Sequence, residues 1–421
     1  IRPGSATLWQ PRTFYLRGFC VKPLLPPAKT QKETLALKHR GGVNVFYAEK
    51  PRCMRRVPIS PILDRVNGSH SRIDPAAHPY TSDFAGLMKS VKSAGLLRRR
   101  HGYYGVLALI LTVVLGITVT GMIFLGTSWW SIALAPLLAI VLTQFAFLAH
   151  ELAHRAVFAS GNSNDIWGRI IANLVVGISY SWWMNKHSRH HANPNTVGKD
   201  PDIESDVVVF RQDIAPTTTG LQRAIVKRQG WLFFPLLTLE GLNLHFQGLK
   251  RAFSREKVEA RGSEITMLLA RHIILFALVY WFMPWGVASV FLVTQLAVFG
   301  VYMGASFAPN HKGMPIIGRD IKVDFLRRQV LTSRNITGGT AMDFAMGGLN
   351  YQIEHHLFPN MPRPALAKAA KMVKAYCQER SISYTETSLI RSYGIVVSYL
   401  NRVGLQARDP FDCPVAQGAG R

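Results

Sequence analysis

Two long stretches without a single formal charge constrain this chain more than anything else: residues 102–149 and 272–310 contain no Asp, Glu, Lys or Arg. A membrane span takes about 20 apolar residues, so each block is long enough for two spans joined by a tight turn. Buried helices of soluble proteins are usually shorter and broken by a charged face, so the distribution decides more than the bulk hydrophobic content of 48%. The expected spans cover about 103–125 and 131–149, turning at Gly126-Thr127-Ser128, then 266–284 and 286–308, turning at Met283-Pro284-Trp285. Trp129 and Trp130 stand at the first turn, where an aromatic belt marks the membrane interface. Neither turn is charged and both outer flanks are basic. The positive-inside rule therefore places the termini and the middle segment in the cytoplasm.

The formal charge of +25 is concentrated at the start, where residues 1–101 hold 19 Lys or Arg against 5 Asp or Glu. So basic a chain invites a nucleic-acid reading, but no zinc finger, basic zipper or RNA-binding signature accompanies the charge. Anionic lipid beside the spans is the better partner. Cys20, Cys53, Cys377 and Cys413 are far apart and form no CxxC pair, which argues against a disulfide framework or a thiolate metal site and suits a reducing compartment.

Residues 1–70 are rich in Pro and Arg and poor in acid, the composition of a disordered leader, either an organelle transit peptide or translated upstream sequence. Phe84, Leu87, Met88 and Val91 then recur at helical spacing behind Ser82 and Asp83. That pattern predicts an amphipathic helix lying on the membrane ahead of the first span. Two interrupted apolar stretches, 166–184 and 231–248, are expected as helices at the interface. Helices over 364–404 are expected to form a cytosolic cap, so the membrane domain runs over 75–404 and a flexible tail over 405–421.

Seven of the fourteen histidines fall in three short windows. His150 and His154 stand at i, i+4; His187, His190 and His191 at i, i+3, i+4; and Gln352, His355 and His356 repeat that spacing. On helices each set shares one face. A face of imidazoles has little reason to meet lipid and good reason to hold a metal. With four crossings every cluster lies on one side of the membrane, together with His311 at the end of the fourth span. One tetrahedral zinc takes three or four ligands, so eight imidazoles and an amide point to two metal ions in one cage.

His150-Glu151-Leu152-Ala153-His154, His187-Ser188-Arg189-His190-His191 and Gln352-Ile353-Glu354-His355-His356 resemble the three histidine boxes of the membrane fatty acid desaturases. Gln at the head of the third box resembles the front-end branch. The resemblance covers roughly residues 75–400. It implies an all-α integral membrane fold, with four spans in two hairpins and a cytosolic helical cap over a di-iron site. It implies an enzyme that uses O2 and two electrons to insert a cis double bond into a fatty acyl chain carried by coenzyme A or a lipid. The ligands it implies are His150, His154, His187, His190, His191, His355 and His356, with His311 as an additional one. Gln352 would bind directly, act through water, or support the site. Many front-end relatives carry a fused cytochrome b5 marked by HPGG. That motif does not occur in this sequence, so the expected donor is a separate ferredoxin, cytochrome b5 or reductase.

Other readings compete. His150-Glu151-Leu152-Ala153-His154 also fits the HExxH zinc protease signature, with Glu151 as general base, but it would leave the five other grouped histidines and His311 idle. Transporters place their sites near midplane on broken helices rather than in helical triplets. A hydroxylase or ketolase on the same di-iron scaffold is the nearest alternative. Asp200 and Asp202 could orient ligand imidazoles or merely cap a turn, and Glu151 and Glu354 could do the same or face the surface. Trp182, Trp183 and Met184 are candidate walls of an acyl tunnel. Lys186, Arg189, Lys312 and Arg363 are candidate charges for phosphates or an acidic carrier.

Overall fold

A backbone with no water around it must satisfy its N–H and C=O groups within its own segment, so the uncharged blocks have little choice but helix. In the computed structural model the described residues are 82–204 and 207–407. The expected leader at 1–70 and the chain beyond 407 lie outside them. In chain order come α1 (Asp83–Ser93), α2 (His101–Phe124), α3 (Leu134–Ala153), α4 (Gly161–Arg169), α5 (Tyr180–Ala192), α6 (Gly220–Val226), α7 (Gln229–Leu237) and α8 (Glu240–Ala252). Then follow α9 (Arg261–Phe282), α10 (Trp285–His311), α11 (Phe325–Leu331), β1 (Asn335–Thr337), α12 (Gly339–Ala345), α13 (Gln352–Leu357), α14 (Arg363–Glu379), β2 (Glu386–Ser388) and α15 (Leu389–Leu405).

Among the described residues four helices are long and apolar enough to cross a membrane: α2, α3 with the 3-10 turn before it, α9 and α10. Each contains most of one expected span, but two run further than expected. α3 continues to Ala153 and α10 to His311, so His150 and His311 ride on the last turns of spanning helices instead of following them. The helices continue because their polar residues find partners in the protein (below). α2 leaves Val106, Leu109, Ile110 and Ile117 exposed, and α9 leaves Ile273, Ile274, Phe276 and Trp281 exposed, as lipid-facing helices do. α3 is buried along most of its length, and α10 packs mainly on α3 and α8 rather than on its sequence neighbour α9.

The α1 helix forms where expected but faces something else. Leu87 and Val91 are buried with Leu326 and Val330 of α11 and Val373 and Cys377 of α14. Tyr376 Oη also donates to the Asp83 carbonyl at 2.6 Å. Its apolar stripe is therefore spent on protein and is not free for a membrane surface. The stretch 166–184 is α4, a π-helical segment Ile170–Val176 and the start of α5, broken at Gly177 with φ +93. The stretch 231–248 is split between α7 and α8.

Two short strands fix the third histidine box. β1 and β2 pair in parallel, Ile336 opposite Thr387, and the Ile336 N–H donates to the Asn350 carbonyl at 2.8 Å. Gly347 and Gly348 have φ of +59 and +84, turning the chain from α12 into the box. A side chain at Gly347 would collide with the Phe147 ring of α3, so the turn needs glycine twice over.

Candidate metal centre

Helical spacing and tertiary packing together bring all eight histidines to one place. His150 and His154 come from the end of α3, His187, His190 and His191 from α5, His311 from the end of α10, and His355 and His356 from α13. Their ring nitrogens form two groups: His150, His154, His187, His191 and His355 in one, His190, His311 and His356 in the other, each within 4.8 Å. His187 Nε2 lies 3.1 Å from His150 Nε2 and 2.8 Å from His154 Nε2, and His190 Nε2 lies 3.3 Å from His311 Nε2. A metal bound by imidazoles at about 2.1 Å separates adjacent donors by roughly 3.0–3.4 Å. His355 Nε2, His356 Nε2 and both nitrogens of His191 are buried without any partner. Buried polar atoms are rarely left so, and these residues fit a pair of metal ions.

In the smaller group, hydrogen bonds fix each proton. His311 Nδ1 is 3.0 Å from the Thr332 carbonyl, which only accepts, so Nδ1 carries the proton and Nε2 the lone pair. His190 Nδ1 is 3.0 Å from Asp200 Oδ2, with the same result. Asp200 itself is anchored by the Asn195 N–H at 2.7 Å. Gln352 Nε2 lies 2.9 Å from His311 Nε2, while Asn310 Nδ2 donates to Gln352 Oε1 at 3.1 Å. Asn310 Nδ2 also donates to the Leu349 carbonyl, which fixes its orientation. The Gln352 amide thus turns its N–H toward His311 and its oxygen away.

Burial keeps most of the rings neutral. It lowers His154 to about 3 and drives His187, His191, His355 and His356 well below the usual imidazole value, with neighbouring histidines adding to the effect. His190 goes the other way: burial opposes its charge, but Asp200 and Asp202 together raise it. Neutral imidazole is the form that binds metal.

The carboxylates beside the boxes face inward. Glu151 accepts from Arg363 Nη2 at 2.7 Å and from Tyr104 Oη at 3.0 Å. Those partners take up both its oxygens and remove it as a general base for HExxH proteolysis. Glu354 accepts from Asn335 Nδ2 at 2.7 Å and Tyr384 Oη at 3.0 Å, yet burial still raises it to about 7. The surface reading of both glutamates is therefore overturned. So is the reading of Arg363 and Lys312 as exposed charges. Arg363 is buried on Glu151, and Lys312 donates to the Asp202 carbonyl at 2.7 Å with its ammonium over the Phe210 ring. Lys186 is half-exposed but paired with Asp202 at 3.0 Å, and Arg189 remains exposed.

A sequence profile of the fatty acid desaturase family matches residues 127–388, more than half of the chain. This chain belongs to that family. Among curated proteins it is similar to a Delta(8)-fatty-acid desaturase of Helianthus annuus, 26% identical over 364 residues, covering 82% of this chain and 78% of the relative. It is similar to an acyl-lipid (9-3)-desaturase of Borago officinalis, 26% identical over 361 residues, covering 82% and 80%. A Delta(6)-fatty-acid desaturase of Caenorhabditis elegans is 27% identical over 361 residues, covering 81% and 80%. The protein is thus an integral membrane oxidoreductase.

The desaturase carries an apolar pocket against its larger histidine group. Phe147, Ala149, Ala172, Trp183, Met303 and Phe307 line it, and His150 is the one ligand-type residue on its wall. Trp183 also stacks on His187, ring centroids 4.1 Å apart. The pocket's free volume is only about 30 Å³, room for a water or two, so a chain of methylenes must displace side chains to occupy it.

Gln329, Thr332, Asn335, Tyr384 and Tyr104 belong to no motif, and sequence reading missed them all. They reach the desaturase site through contacts between segments far apart in the chain. Nothing in their own neighbourhoods marks them.

Proposed function

We propose that this desaturase is a di-iron, O2-dependent enzyme that inserts a cis double bond into a fatty acyl chain carried by coenzyme A or a lipid, in the manner of the front-end branch. The observation that carries the reading is the meeting of eight imidazoles in two groups with their nitrogens turned inward. His150, His154, His187, His191 and His355 would hold one iron, and His190, His311 and His356 the other. Gln352 stands beside the His311 ring and supports the site. Relatives named for Delta(8), Delta(6) and (9-3) activities support the front-end assignment. We place the four spans as two hairpins within a domain over 75–404. The site, the helical cap and both termini lie on the cytoplasmic side, where Arg98, Arg99 and Arg100 flank the first span.

With O2 and two electrons, bound iron supplies the capacity to remove hydrogen from an unactivated methylene. The protein supplies position and dryness. The acyl chain lies in the pocket beneath His150, between Phe147, Trp183 and Phe307, so that two adjacent methylenes face the larger histidine group. Phe147 and Met303 keep water from the reacting carbons, and Trp183 holds the His187 ring by stacking on it. Displacement by one carbon gives a different product, so the depth of the pocket sets the double-bond position.

Fatty acid methyl esters from a host expressing the chain with a matched electron donor test this directly. A new unsaturated ester is expected from the native chain and none from His190→Ala or His355→Ala, both inserted in the membrane. Desaturation that survives either substitution refutes the assignment.

A further inference from the structure

Gln329 lies on α11, outside every histidine box, and is fully buried. Its Nε2 donates to the His191 carbonyl at 3.0 Å, and its Oε1 lies 3.0 Å from His356 Nδ1. The first contact determines the second. A carbonyl only accepts, so the amide nitrogen must face His191 and the amide oxygen must face His356. His356 Nδ1 then has to carry the proton, which leaves the lone pair on Nε2. That Nε2 is one of the buried nitrogens with no partner.

The His191 carbonyl needs this donor. It lies in the last turn of α5, where the helix supplies no N–H to its carbonyls. The next residue of the helix is held from the same side, the Ala192 carbonyl accepting from Arg328 Nη1 at 3.0 Å. The rings of His191 and His356 stack 4.1 Å apart at 9°, and they belong to different histidine groups. One amide thus sets the tautomer of a ring in the smaller group and the backbone of a ring in the larger.

We propose that Gln329 is a positioning residue of the smaller histidine group, holding His356 Nε2 toward its metal, with the orientation of its amide set by the His191 carbonyl at the end of α5. The proposal rests on the di-metal reading. Loss of a partner behind a ligand imidazole weakens metal binding by roughly 10–100-fold. Gln329→Met keeps the volume and removes both hydrogen bonds. Gln329→Glu keeps an acceptor for His356 Nδ1 and gives up the donor to His191.

The experiment compares iron per chain, and the rate at which a chelator strips it, in purified native, Gln329→Met and Gln329→Glu proteins. Two irons are expected in the native chain. In Gln329→Met one of the two should leave at least about tenfold faster while the other is unchanged. Gln329→Glu should retain both irons near the native rate. A residue that only supported the fold would release both irons together and would not be rescued by Glu. Two irons in Gln329→Met at the native rate, or equal loss in Met and Glu, overturns the proposal. If Gln329→Met does not fold, native-like retention in Gln329→Glu still supports it and loss there overturns it. A native chain without iron refutes the di-metal reading itself.

Discussion

The two histidine groups are built differently. In the smaller one every Nδ1 has a partner: the Asp200 carboxylate for His190, the Thr332 carbonyl for His311 and the Gln329 amide for His356. In the larger one no Nδ1 is hydrogen-bonded to a described residue; its rings are held by each other and by Trp183. The larger group also faces space. His150 lines the apolar pocket, and with His154 and His355 it lines a second, smaller cavity beside Gly347 and Gly348. None of the smaller group touches either. One half is anchored from behind by hydrogen bonds and the other is packed against an apolar pocket; on the proposed function, the first is the more firmly held metal site and the second faces the acyl chain.

That contrast can be broken from either side, and the largest effect should come from the pocket. Ala172→Leu fills space beside His150 without replacing a ligand. Overpacking of this kind costs about 1–3 kcal/mol of stability. Desaturation should fall at least about tenfold through misplacement of the acyl chain, with iron content unchanged. Loss of iron in this variant would show that packing on the pocket side also retains metal, and would erase the contrast.

Asp200→Asn attacks the other half. The amide cannot match the carboxylate behind His190, and iron release from one site should quicken by roughly 10–100-fold. Metal analysis against time in chelator reads this. Equal weakening of both irons would erase the distinction between the halves.

The smallest effect is in pH. Five rings of the site that lie outside the spanning helices have lowered values: His154, His187, His191, His355 and His356. The unfolded chain takes up protons below about pH 6.5 while these rings do not, so their contribution to stability is present above that pH and lost as it falls. His190, raised by its aspartates, contributes in the opposite sense, but it is one ring against five. Metal-free protein should therefore melt several degrees lower at pH 5.5 than at 7.5. A higher melting point in acid would mean that the His190 pair dominates.

How much was legible in advance depended on the range of the signal. The four apolar helices and the ligand-type histidines were readable because a run without charge and an i, i+3, i+4 spacing are local properties. The same locality made α1 misleading. Its apolar stripe was plain, but nothing in 83–93 says whether membrane or α14 will cover it. Arg363 read as a surface charge because Glu151, which buries it, stands 212 residues away.

The sequence by itself determined where the chain must be helical, which side chains could hold metal, and, through an even number of crossings, that they could share one side of a membrane. Only the tertiary structure decided how those side chains divide into two groups, where the proton sits on His190, His311 and His356, and which way Gln352 turns. Helix and hydropathy follow from neighbours in the chain. A proton on one ring nitrogen rather than the other depends on an acceptor from another segment, such as the Gln329 amide, and packing alone brings that acceptor into place.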